Sequence, residues 1–141
     1  MASRHFSIRL EAEAFERLEA ESRRTGRPRS EVAKSVLDEG LRMRQHPGVV
    51  FRPGPAGRRP GLADGPDIWE VARVLRGVAQ RTGDVVAETA ELTGLHRTQV
   101  EVALRYYAEY RDEIDDWIAR LDDEANRAEA AWLREQELLR R

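Results

Sequence analysis

The opening segment, residues 4–10, alternates polar and apolar side chains one by one. In an extended strand this alternation places Phe6, Ile8 and Leu10 on a single face, because successive strand side chains point to opposite faces. A lone strand can neither pair its own backbone groups nor bury that apolar face. The simplest partner is the same segment of a second copy. The pattern therefore predicts an antiparallel two-stranded ribbon at the centre of a homodimer.

The outer face of such a ribbon carries His5, Ser7 and Arg9 from each copy. A two-stranded ribbon fits the major groove of B-DNA. There Arg can form two hydrogen bonds to guanine, and Ser can hydrogen-bond the edges of several base types. We therefore expect these three side chains to contact DNA bases.

Two amphipathic helices are predicted directly behind the strand. The first spans 11–25 and stops at Gly26, as helices often do at glycine. The second starts at 27–31, with Pro28 in its first turn, and ends near Gln45, ahead of His46-Pro47-Gly48. A 45-residue unit buries little surface, so we expect folding to be coupled to dimerisation. The expected dimer core consists of Phe6, Ile8, Leu10, Val36 and Leu37.

Three pieces of the chain carry a family resemblance: the strand HFSIRL, the helix ending at Gly26, and the second helix opening with RPRSEVAKSVL. With these, residues 4–45 resemble the ribbon-helix-helix superfamily of Arc- and MetJ-type repressors. The resemblance implies that the outward strand residues enter the major groove and that the start of the second helix sits on a phosphate. The residues implied in phosphate contacts are Arg4, Arg27, Arg29 and Ser30. Free N–H groups and the helix dipole favour an anion at a helix start. Pro28 departs from the family, since many members place a capping hydroxyl there.

The rest of the chain is predicted to be mainly helical. Residues 46–66 are rich in Pro and Gly and form either a plain connector or a short hairpin, with 49–52 paired to 58–62. Asp67 caps a helix from 68 to about 80, a second helix runs over 84–93, and a third runs from 97 nearly to 141. The expected organisation is a ribbon-helix-helix domain (1–45), the connector or hairpin (46–66), and a helix-turn-helix-like domain with a long C-terminal helix (67–141).

The spacing of Ala90, Gly94 and Val100 is that of a helix-turn-helix. Arg97, Thr98 and Gln99 would then head a recognition helix. The surrounding block is net negative, and DNA repels negative charge. We interpret the motif first as a packing unit, with a second DNA-reading helix as the alternative.

Apolar residues recur at intervals of seven along the last predicted helix. One line consists of Val100, Tyr107, Ile114, Leu121 and Ala128, and the other of Leu104, Ile118, Ala125, Trp132 and Leu139. Such a stripe favours packing against a sister helix in a coiled coil or in a groove on another protein.

Charge is distributed unevenly along the chain. Residues 1–60 contain 13 Lys and Arg against 8 Asp and Glu, a net of +5, whereas residues 61–141 contain 11 against 18, a net of −7. A basic front and an acidic rear suggest two partners, one of them nucleic acid. Solvated helix faces are the alternative explanation.

The segments VVFRPGPAGRR, GPDIWEV and ALRYYAEYRDEID carry a second resemblance. Through them, residues 46–113 are similar to a small helix-turn-helix domain of bacterial antitoxins whose neighbour is a PIN-like ribonuclease toxin. This resemblance implies a protein that binds DNA with its front half and neutralises a toxin with its rear half.

Residues 109–124 hold eight acids and two arginines. A helix of this charge would suit the electropositive cleft of an RNA-cutting toxin, and its arginines could reach metal-binding acids there. The residues expected to bind the partner are Arg111, Ile114, Trp117, Ile118, Arg120, Leu121 and Trp132. The alternative is a solvated acidic face on a dimerising helix.

No pattern in the chain indicates an enzyme. It has no cysteine, its histidines (His5, His46, His96) lack metal-ligand spacing, and it has no glycine-rich phosphate loop. We expect no catalysis, cofactor or metal. Without a signal peptide or an apolar run of membrane length, we expect a bacterial cytoplasmic protein, nucleoid-associated when bound, with no membrane contact.

The expected partners are operator DNA, a second copy and a toxin. Two alternatives stay open. One is a stand-alone ribbon-helix-helix regulator with no toxin, and the other is an adaptor that dimerises without binding DNA.

Overall fold

The computed structural model describes residues 2–81 and 83–140. Within them the protein is mainly helical, with one small two-stranded antiparallel sheet. The chain divides into two compact units, Met1–Arg44 and Gln45–Arg141. We call them the front unit and the rear unit, and each is described by itself.

The front unit contains the two predicted helices, α1 (Ala12–Thr25) and α2 (Arg29–Gln45). Gly26 ends α1 in the left-handed conformation, with φ of 67°, which costs glycine little. The carbonyl oxygen of Pro28 accepts the N–H groups of Glu31 and Val32 at 3.0 and 3.1 Å, so α2 begins directly after the proline. Pro28 thus occupies the capping position itself and offers no side-chain acceptor.

The strand predicted over residues 4–10 is not formed in the single chain. Residues 2–11 adopt neither helix nor strand, and every one of them is exposed. The physical reason is that a strand requires a second backbone to pair its N–H and C=O groups. None of the described residues supplies one to this segment, because the only strands among them pair with each other.

The rear unit opens with a hairpin, so the connector alternative for residues 46–66 is wrong. Strand β1 (Val49–Arg52) pairs antiparallel with β2 (Arg59–Leu62), and Val49 lies opposite Leu62. Helix α3 (Ile68–Val78) follows, slightly shorter than predicted. The N–H of Asp67 donates to the Glu70 carboxylate at 2.9 Å, which fixes the start of α3.

Helix α4 (Val85–Thr93) and the start of helix α5 (Arg97–Glu109) lie where the sequence predicts them. The Asp84 side chain caps α4 by accepting the N–H of Ala87 at 3.1 Å. Gly94, with φ of 72°, ends α4 in the left-handed conformation. The two helices are therefore joined by a turn of three residues, as the helix-turn-helix spacing requires.

The prediction of one continuous helix from residue 97 onward is wrong. The backbone leaves the helical conformation at Tyr110 (φ −113°, ψ 38°), and a separate helix α6 (Arg111–Leu139) begins there. Neither glycine nor proline causes this break. The Tyr110 ring packs on Tyr106, with centroids 4.6 Å apart, and both rings contact His46 edge-on. The packing of these three rings accounts for the interruption of the helix at Tyr110.

Helix α3 lies at the centre of the rear unit and contacts β2, α4, α5 and α6. The core around it is formed by Val49, Leu62, Ile68, Val71, Ala72, Leu75, Val100, Ala103, Tyr106, Tyr107, Ile114 and Ile118. The residues of the predicted seven-residue apolar repeat therefore fall into two groups. Its part up to Ile118 is largely core, whereas from Ala125 to Leu139 its members are exposed.

Candidate nucleic-acid and partner interfaces

The residues predicted to contact bases are exposed in the irregular opening segment. His5, Ser7 and Arg9 make no hydrogen bond or ion pair with another described residue. The single chain therefore leaves all three side chains available but does not gather them into one ordered face. Arg4, predicted to contact phosphate, lies in the same exposed segment.

The start of α2 holds the other predicted phosphate contacts. Arg29 pairs with Glu19 at 3.0 Å and lies over the Phe15 ring, 5.1 Å from its centroid. The guanidinium of Arg27 donates to the Ser35 hydroxyl at 3.2 Å. Ser30 is exposed. The first N–H groups of a helix have no intrahelical acceptor, so α2 presents an open, basic start to solvent.

All five predicted dimer-core side chains are exposed in the single chain. Phe6 is 74%, Ile8 64%, Leu10 42%, Val36 59% and Leu37 55% exposed. Val32, at 3%, is the only buried side chain among the described residues of the front unit. The front unit therefore has almost no core of its own.

Two of the residues predicted to bind a partner are buried in the core of the rear unit. Ile114 and Ile118 are each 3% exposed, because the break at Tyr110 lets the first turns of α6 pack into the core of the rear unit. These two side chains stabilise the fold and are not available to a partner. Leu121 is half-buried.

Of the other predicted partner residues, Arg111, Arg120 and Trp132 are exposed on the rear unit and Trp117 is half-buried. Arg111 lies 3.6 Å from the Asp115 carboxylate, and Arg120 stacks over Trp117 at 5.1 Å from the ring centroid. Trp132 is 56% exposed on the far part of α6. The exposed apolar set on this part of the helix is Trp132, Leu133, Leu138 and Leu139.

The head of α5 is held by contacts within the rear unit. Arg97 pairs with Asp84 at 2.9 Å and with Glu101 at 3.2 Å, and Gln99 donates to Asp64 at 3.1 Å. The hydrogen bond from Arg97, with that from the N–H of Ala87, lowers the pKa of Asp84. These contacts favour the packing interpretation of the helix-turn-helix over a second DNA-reading helix.

Sequence reasoning missed a charged cluster around Asp67. Asp67 is 8% exposed, and its carboxylate accepts from Arg52 at 3.1 Å, from Arg59, and from the Trp69 indole at 3.3 Å. Arg52 and Arg59 face each other in the hairpin register. The sequence assigned Asp67 only a capping role, because the pairing of two arginines with it depends on how the hairpin meets α3.

The structure also buries two other polar groups that the sequence did not single out. His46 is 4% exposed, and its Nε2 lies 2.5 Å from the Glu109 carboxylate. The Tyr107 hydroxyl donates to Asp115 at 2.5 Å, and burial, together with that hydrogen bond, raises the pKa of Tyr107. Both contacts join residues from different elements, so no local sequence signal marks them.

The described residues contain no group of three or more His, Cys, Asp or Glu side chains arranged to hold a metal ion. Nor does any helix in the described ranges combine the length and apolar character needed to cross a lipid bilayer. Comparison of the chain with protein-family models, with curated proteins and with solved structures finds no match.

Proposed function

We propose that the protein is a homodimeric, sequence-specific DNA-binding repressor of the ribbon-helix-helix kind, and that it is the antitoxin of a type II toxin–antitoxin pair. The observation that carries the proposal is the unpartnered apolar surface of the front unit. Seven large apolar side chains there are 41–74% exposed, namely Phe6, Ile8, Leu10, Phe15, Val36, Leu37 and Leu41.

A second copy of the front unit is the partner that best fits this surface. Three of the seven side chains alternate along the unpaired segment 4–10, which needs both a backbone partner and an apolar cover. An identical antiparallel segment supplies both at once. Burying each such side chain contributes about 1.5–3 kcal/mol, and a unit with one buried side chain among its described residues has little other source of stability.

The ribbon formed in this way supports DNA binding through its chemistry. Its outer face carries Ser7 and Arg9 twice, and the basic start of α2 is suited to phosphate. The net charge of +5 over residues 1–60 attracts a polyanion.

Salt titration of DNA binding tests the proposal. Because about 6–10 phosphate contacts are expected per dimer, operator affinity should fall by about 10³–10⁵ between ~50 and ~200 mM salt. The measurement is a gel-shift or anisotropy titration on the promoter region of the protein's own gene. Absence of DNA binding at low salt contradicts the repressor and supports the adaptor alternative.

The toxin half of the proposal rests on the far part of α6, residues 121–139, which we call the α6 tail. Its apolar seam consists of Leu121, Ala125, Ala128, Trp132 and Leu139. Acids flank this seam, at Asp122, Glu124 and Glu129 among others, so two tails brought side by side repel each other. A basic groove on another protein avoids that repulsion, and the cleft of a ribonuclease is electropositive. Charge thus favours a toxin over a second copy as the partner of the tail.

Co-purification with the product of the adjacent gene tests this half. We expect a stable complex in which Trp132→Ala weakens binding by at least about 30-fold, because buried aromatic anchors commonly contribute 2 kcal/mol or more. Leu92→Ala is the matched control, since Leu92 is 62% exposed on a different helix. A missing complex favours the stand-alone regulator, and a Trp132→Ala protein that binds like the wild type removes the tail from the interface.

A further inference from the structure

The rear unit contains a cavity of about 150 Å³ between the hairpin, α3 and α6. It is lined by Phe51, Arg58, Arg59, Pro60, Trp69, Glu113, Ile114, Trp117 and Arg120. We propose that this cavity is a binding site for a small aromatic monocarboxylate, a function in addition to DNA and toxin binding. The cavity combines a ring-sized apolar interior with an excess of guanidinium groups.

The apolar part of the wall sets the size and shape of the ligand. Two indoles, Trp69 and Trp117, share it with the Phe51 ring and Pro60. Ligand sites are typically apolar and aromatic with a few polar groups that fix orientation. A cavity of about 150 Å³ holds a single benzene-sized ring. The wall therefore fits one planar ring better than a dinucleotide or an extended peptide.

The charged part of the wall sets the sign of the ligand. Three arginines and one carboxylate, Glu113, give it a formal net charge of +2. The Arg59 guanidinium already donates to Asp67 and, at 2.8 Å, to the Pro53 carbonyl oxygen, which offsets part of this charge. Arg58 and Glu113 each have a partner already, so most of the uncompensated positive charge of the wall comes from Arg120. The wall consequently suits a monoanion, and the planar fork of an arginine matches a carboxylate.

Arg120 is the arginine placed to bind that carboxylate. Its guanidinium lies over the Trp117 ring at 5.1 Å, and it makes no ion pair with any residue in the described ranges. This guanidinium therefore favours an anionic, oxygen-bearing ligand at its end of the cavity.

Nuclear magnetic resonance of the indole N–H signals tests the proposal on the full chain. The protein has three tryptophans, of which Trp69 and Trp117 line the cavity while Trp132 lies in the α6 tail. Titration with benzoate should shift the first two signals with saturation and leave the third unchanged. Benzamide, which has the same shape without the charge, should bind at least about tenfold more weakly, because charge-assisted hydrogen bonds are the stronger ones.

Two arginine variants complete the test. Arg120→Gln should weaken benzoate binding by at least about tenfold, and Arg127→Gln, seven residues further along the same helix and outside the cavity wall, should not. Both side chains are exposed, so both variants are expected to fold. Equal binding of benzamide and benzoate, or wild-type benzoate affinity in Arg120→Gln, would show that the cavity does not recognise a carboxylate, and it would overturn the proposal. Linear, non-saturating shifts of all three indoles overturn it as well.

Discussion

Replacing Arg9 by Ala is expected to abolish most of the protein's preference for its operator over unrelated DNA. A good bidentate contact from Arg to a base discriminates by about 1–3 kcal/mol. The proposed dimer would present Arg9 twice, so the loss should amount to about 2–6 kcal/mol, or roughly 30-fold to 10⁴-fold in the specificity ratio. The measurement is a competition titration of operator against scrambled DNA at one fixed salt concentration.

Arg17→Ala is the matched control for this experiment. It removes the same charge from the front unit, where Arg17 is exposed on α1 and makes only a long, exposed ion pair with Glu13 at 3.8 Å. It should leave the specificity ratio unchanged. An Arg9→Ala protein that keeps the wild-type ratio would show that the opening segment does not read bases.

The second large effect is expected from Ile8→Ser, which should break the dimer. Ile8 is 64% exposed in the single chain, and in the proposed ribbon it is buried. Losing about 1.5–3 kcal/mol of apolar burial in each of two subunits gives about 3–6 kcal/mol, or roughly 10²–10⁴-fold in the dimer dissociation constant. Sedimentation equilibrium over a range of protein concentrations measures this constant.

Ser7→Ala separates dimerisation from DNA binding. Ser7 neighbours Ile8 and points to the opposite face of an extended segment. We expect this variant to remain a dimer while its operator affinity falls. If Ile8→Ser stays as tightly dimeric as the wild type, the ribbon is not the dimer interface, and the exposed apolar side chains of residues 4–10 must be explained otherwise.

The front and rear units differ in how many apolar side chains they bury within one chain. The rear unit buries a core of a dozen side chains around α3. The front unit buries only Val32 among its described residues. Heating or dilution should therefore disorder the front unit first, and DNA or a second copy should stabilise it by mass action.

Local chemistry determined most of the secondary structure from the sequence alone. Gly26 and Gly94 end helices because glycine adopts the left-handed conformation at little cost, and Asp84 begins one because its carboxylate accepts a free N–H. Residues close in sequence produce these signals, so the sequence could reveal them. The basic front and the acidic rear follow equally from the printed residues.

Only the tertiary structure decided how distant residues meet. The break at Tyr110 depends on rings from His46 and Tyr106, and it alone turns Ile114 and Ile118 from expected partner contacts into core. The joining of Arg52 and Arg59 on Asp67, and the cavity beside them, depend on the hairpin register and on where α3 lies. An apolar stripe in the sequence predicts that one face of a helix will be buried, but it does not identify the surface that packs on it. The hydrophobic effect is non-directional, and the packing surface is formed by residues distant in sequence.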